Sequence, residues 1–137
     1  MKVAVNARWL IPGKLEGTGI YTLKMLEQII PAFPEHIFFL LVDRKVEFNS
    51  LGLNFPNVHF ITVSPIARHP ILWKVWNNFS VPKKLKTIGA DLYWSPDGLP
   101  AQTPTPQWIT IHDLNFEHHP EWIKPNAAKY YRKNVRR

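Results

Sequence analysis

Three short polar clusters in this chain carry the residue types from which binding and proton-handling sites are made. The first is Asn6-Ala7-Arg8 with Glu16-Gly17-Thr18-Gly19 beyond it, the second Ser95-Pro96-Asp97-Gly98, the third His112-Asp113. Glycines at 17 and 19, where a helix begins, let backbone N–H groups approach a phosphate while the positive end of the helix favours its charge. As a motif the run is incomplete. Thr22 stands where a dinucleotide loop has its third glycine, and no Gly-Lys-Ser/Thr follows as in a P-loop. A tight strand-to-helix turn without any ligand explains the same glycines. His112 follows an apolar strand, so its imidazole is expected partly buried, bonding either a substrate hydroxyl or a backbone carbonyl. Asp113 is placed to orient the loop, and Asn6, Arg8 and Asp97 to line a cleft. The stretch 112–119 offers several metal-ligating side chains but no His-x-x-x-His on a helix and no facial-triad spacing, so no metal site is expected.

The elements that must position these clusters are legible as period and punctuation. Val3, Ala4 and Val5 suit a central parallel strand over residues 2–7, followed by a loop over 8–19 and a helix from Ile20 that Pro31 and Pro34 stop. Residues 37–42 are apolar without alternation, the mark of a strand buried on both faces, and complete a right-handed βαβ unit. An irregular connection over 43–57 leads to a third strand at 58–63. Ile71, Leu72, Val75, Trp76 and Phe79 have helical spacing; Pro82 should kink or restart that helix, and Gly89 end it. Strands at 91–94 and 107–111 flank a proline-rich turn, and a last helix starts near Pro125, with Ala127, Ala128, Tyr131 and Val135 on one face. The pattern predicts an α/β fold: one Rossmann-like parallel sheet with helices on both faces, spanning residues 1–137. In such sheets ligands bind beyond the carboxyl ends of the strands, where all three polar clusters fall. The last helix reaches Arg137 without Gly, Pro or a polar tail, so more of the domain is expected to follow.

Composition narrows the class. The 137 residues are 45% hydrophobic and 20% charged, which excludes a disordered chain, and no apolar run approaches a membrane span. Cysteine is absent, which excludes disulfides and thiolate zinc sites, and nothing resembles a secretory signal, so a cytoplasmic location is expected. Seventeen Lys and Arg against ten Asp and Glu give a net charge of +7 and point to an anionic partner. Nucleic acid is not expected, because the basic residues do not interleave with aromatics on a sheet face and no recognition motif appears. In residues 69–86, Trp73, Trp76 and Phe79 lie among Lys74, Lys83, Lys84 and Lys86, which fits either a helix at an anionic membrane surface or a core-packed helix with a solvated lysine end.

Taken together, residues 1–8, the loop 12–21, the segment 67–73, the Ser95-Pro96-Asp97 turn and residues 111–118 resemble the amino-terminal domain of the family four glycosyltransferases, retaining enzymes of the GT-B fold. The resemblance implies an acceptor-side domain of an enzyme that moves a sugar from a nucleotide-sugar donor to a saccharide or lipid-linked acceptor. It implies that Gly17, Thr18 and Gly19 lie against the donor diphosphate, that His112 contacts the transferred sugar as a catalytic residue, and that Asp97 and Asp113 line the cleft. It also implies that the nucleotide sugar is a co-substrate with no further cofactor, that the donor-binding half lies outside these residues, and that this piece alone is inactive. The competing expectation is a Rossmann-like module that binds a nucleotide or phosphorylated ligand without turnover.

Overall fold

The computed structural model describes residues 1–45 and 47–135. Strand β1 (Lys2–Asn6) leads to helix α1 (Gly17–Ala32), strand β2 (Ile37–Val42), a 3-10 turn (Phe48–Leu51) and strand β3 (Val58–Thr62). One continuous helical stretch follows, made of α2 (Pro70–Val75), a π-helical turn (Trp76–Ser80) and α3 (Val81–Ile88); then come β4 (Leu92–Ser95), β5 (Gln107–Ile109), the short α4 (Asn115–His118), a 3-10 turn (Pro120–Trp122) and α5 (Pro125–Val135). The five strands are all parallel in the order β3-β2-β1-β4-β5. This is a Rossmann-like α/β sheet, and its order reverses between β1 and β4.

Alternation along each strand builds two cores. Val3, Val5, Phe38, Leu40, Val42 and Trp94 face α1, where Leu26 and Ile30 are fully buried. Ala4, Leu41 and Tyr93 face the opposite side and meet Trp76, Val81 and Leu85. Helices therefore cover both faces of the sheet. Trp76 can be wholly buried because its indole Nε1 donates to the Val63 carbonyl at 2.8 Å, which removes the penalty for an unpaired polar group.

Helix α1 starts at Gly17, three residues before the expected start at Ile20. Its first turn holds two glycines, each a poor helix former by up to about 1 kcal/mol, against about 1.5–3 kcal/mol for burying each of Leu26 and Ile30. Packing outweighs propensity. It also runs past Pro31 to Ala32, since Phe33 N–H bonds the Ile29 and Ile30 carbonyls and closes the turn around the proline. Pro82 lacks the N–H that a regular helix needs, and the turn before it widens so that Val81 N–H reaches Trp76 O. Gly89, at φ 64°, ends α3 as expected, with Ala90 N–H returning to Leu85 O. Strand β5 stops at Ile109 and not at residue 111, although Thr110 N–H still bonds Ser95 O before the chain leaves the sheet. No helix among the described residues is long and apolar enough to cross a membrane.

Candidate functional site

Where the strand order reverses, the ends of β1 and β4 are tied by an ion pair. Arg8, two residues past β1, donates from Nη2 (2.9 Å) and Nε (3.1 Å) to Asp97 Oδ2, and from Nη1 to the Ala67 carbonyl (3.3 Å). Both side chains are largely enclosed, Arg8 at 11% and Asp97 at 5% exposure. The guanidinium also lies 4.6 Å from the Trp9 ring centroid and 5.7 Å from that of Trp73. Ser95 Oγ lies 2.8 Å from Asp97 Oδ1 and 2.7 Å from Leu99 O, which fixes the turn after β4. Asn6 is buried at the end of β1, its Oδ1 at 3.5 Å from Arg8 N. One half-buried network thus joins the loops after β1, β3 and β4.

His112 is held against this network. Its Nε2 lies 2.6 Å from the Pro96 carbonyl. A carbonyl only accepts, so Nε2 carries the proton, and in the neutral ring Nδ1 remains an acceptor. The imidazole meets the edge of Tyr21 on α1 with centroids 5.0 Å apart. Of the two bonds expected for His112, the structure shows the backbone one, with the residue exposed rather than partly buried. Asp113 is exposed and turns its own loop, its Oδ1 accepting from Asn115 N at 2.9 Å at the start of α4.

The glycine turn divides. Gly19 is buried, and a Cβ there would stand 2.6 Å from the Trp9 carbonyl, so α1 lies directly on the backbone of the first loop. Gly17 has open space around it. The Thr22 hydroxyl donates to Thr18 O at 2.7 Å within the helix.

Next to Arg8 opens a cleft of about 1210 Å³. Its walls come from the loops after β1, β2 and β3 and from α2 and α5. Of the residues expected to line a cleft, Arg8 is on this wall, whereas Asn6 is buried, Asp97 turns its nearly enclosed side chain to Arg8, and Asp113 lies elsewhere. The wall also holds Trp9, Asp43 and Arg44, which the sequence marks only as loop residues, and Tyr131, which it marks only as part of a helix face. Asp43 is 3% exposed, holds Arg44 in a two-point fork (2.6 and 2.7 Å) and accepts from Ala67 N at 2.9 Å. Hydrogen bonding to that carboxylate raises the Arg44 pKa further, so its charge is permanent. Tyr131 of α5 stacks on Phe116 with centroids 5.6 Å apart. Burial, and next the Asp97 carboxylate, hold its phenol above the ordinary range, as burial and Asp97 do more strongly for Tyr93 on β4. Both hydroxyls stay protonated at neutral pH.

In residues 69–86 the tryptophans do not form a surface. Trp76 is core and Trp73 half-buried, whereas Ile71 (65%), Leu72 (42%), Val75 (38%) and Phe79 (68%) are exposed. Among the described residues no group of three or more metal-ligating side chains comes together. No family model, curated protein or solved structure matches this chain.

Proposed function

We propose that this chain is the acceptor-side domain of a retaining glycosyltransferase, moving a hexose from a nucleotide-sugar donor to a saccharide or lipid-linked acceptor. The observation that carries the reading is the Arg8–Asp97 pair at the switch point with His112 fixed beside it on Pro96 O. This is where an α/β sheet gathers ligand-contacting groups, and three strand-end loops meet there. Breaking a sugar–phosphate bond leaves negative charge on the diphosphate, which the N-terminus of α1 at Gly17 and Thr18 can stabilise with backbone donors. His112, oriented by its bond to Pro96, offers Nδ1 to a sugar hydroxyl and positions the ring of an oxocarbenium-like sugar without any covalent bond to the protein. The Arg8–Asp97 pair is spent on itself and acts by positioning the loops.

An anionic membrane surface belongs to the same reading, since it would present a lipid-linked acceptor. Its support is the exposed ridge of Ile71, Leu72, Val75 and Phe79, with Lys83 and Lys86 exposed on α3.

The test is His112→Ala in the full-length protein, assayed with a panel of nucleotide sugars. The expected loss is roughly 100-fold or more in kcat at an unchanged melting temperature. Unchanged kcat with lowered stability would sink the catalytic role. Absence of turnover by the wild type, with tight binding of a nucleotide or phosphorylated ligand, would favour a binding module.

A further inference from the structure

The cleft beside Arg8 is built for negative charge to a degree that the glycine turn is not. Of its twenty described lining residues, eight are Lys or Arg and two are acidic. One of the two, Asp43, is already committed to Arg44 and to Ala67 N. Arg68, from the loop after β3, and Lys124, Lys129 and Lys133, from the α5 side, have no carboxylate partner among the described residues. Cations from distant parts of the chain thus face one space and repel each other there, an arrangement that a bound anion relieves.

A second observation comes from the wall itself. Two donors of cleft-lining side chains, Trp9 Nε1 and Arg44 Nη1, are buried without an acceptor. Native proteins leave few such groups, because each loses its bonds to water without gaining a partner. Both belong to side chains that line the cleft, so a ligand seated there is the nearest candidate acceptor. Arg44 is already fixed at Nε and Nη2 by Asp43, which keeps its remaining edge preorganised. Trp9 and Trp73 add apolar, aromatic surface to the same wall, suited to the less polar part of a ligand.

We propose that this cleft, whose wall includes Glu16 but not Gly17, Thr18 or Gly19, binds a phosphate-bearing ligand held by Arg44, Arg68 and the lysines of α5. Resting on the sugar-transfer reading, that ligand is the acceptor, which then carries a phosphomonoester or diphosphate group. Several spaced cations match an anion with several oxygens better than a single carboxylate, and Arg44 Nη1, left over by Asp43, can add a charge-assisted bond.

The test is an NMR titration of the intact, ¹⁵N-labelled chain with pyrophosphate. The expected result is saturable movement of the Trp9 indole and Arg44 side-chain signals, weakening as salt is added. In Arg68→Gln/Lys129→Gln, both exposed positions, affinity should fall roughly tenfold while the rest of the spectrum stays put and the melting temperature does not fall. Binding unchanged in that variant, or shifts confined to Gly17 and Thr18, would overturn the proposal. So would the absence of saturable binding by each of three probes: pyrophosphate, glycerol 3-phosphate and phosphatidylglycerol vesicles. The last two probes separate sources, since a free phosphoester moves the cleft signals in solution and a lipid headgroup moves them only on vesicles. Phosphate binding without sugar transfer in the full-length protein would refute the transfer reading and leave the site standing. Transfer to a neutral acceptor without phosphate binding would do the reverse.

Discussion

Gly17 and Gly19 are two positions apart and have opposite surroundings. Neither adopts a left-handed conformation, so what matters is space. At Gly19 a methyl group would meet Trp9 O at 2.6 Å and Leu15 Cδ2 at 3.3 Å, and backbone cannot step aside cheaply. At Gly17 nothing lies within 4 Å. Gly19→Ala should therefore cost about 1–3 kcal/mol in urea unfolding, while Gly17→Ala should be neutral or stabilising by up to about 1 kcal/mol. Equal stability of the two variants would mean that the loop at Trp9 yields. The pair also divides the phosphate-binding expectation: Gly19 is small for the protein's own backbone, and only Gly17 and Thr18 keep backbone open to a ligand.

At the scale of elements, the ridge on α2 and the π-helical turn has a directly measurable consequence. With Trp76 in the core, any insertion into lipid falls to Ile71, Leu72, Val75 and Phe79. Co-sedimentation with phosphatidylglycerol vesicles should drop in Ile71→Ser/Phe79→Ser. Each lysine near an anionic surface contributes about 1 kcal/mol, so Lys83→Glu/Lys86→Glu should weaken binding by roughly 30-fold or more, with loss as salt rises. Wild-type binding in both variants would remove the ridge as a membrane contact. The strands were the most legible elements, because burial on both faces writes itself as continuous apolar runs such as residues 37–42. What escaped is what tertiary packing decides: the early start of α1 on glycines, and the single-turn α4 inside residues 112–119, a run whose side chains read as possible metal ligands. At the site, polar residues just past strand ends pointed to Arg8, Asp97 and His112, and the same rule applied after residue 42 finds Asp43 and Arg44. The lysines of α5 stand on a helix that the sequence marks only by its face of Ala127, Ala128, Tyr131 and Val135. That they share a cleft with the loop after β3 depends on where a helix some sixty residues away docks, which local pattern does not encode.

For the whole molecule, the net charge of +7 is unevenly held. Lys24 and Glu27 pair on the surface of α1, whereas the cleft collects cations with few counter-charges. Folding brings Arg68 and the lysines of α5 together from a chain in which they stand far apart, so part of the native state's cost is this repulsion. An anion that binds the folded cleft and not the unfolded chain stabilises by RT ln(1 + [L]/Kd), about 1.4 kcal/mol at ten times Kd, which is about 4–6 °C in melting temperature for a domain of this size. Pyrophosphate should accordingly raise Tm over chloride at matched ionic strength. General exclusion of phosphate salts from protein surface also stabilises, but acts on every variant alike. The discriminating measurement is the difference between wild type and Arg68→Gln/Lys129→Gln. The variant should start with a slightly higher Tm in chloride, since repulsion is relieved, and gain less from pyrophosphate. Parallel gains in the two proteins would assign the effect to the solvent and leave the cleft's charge without a stabilising ligand.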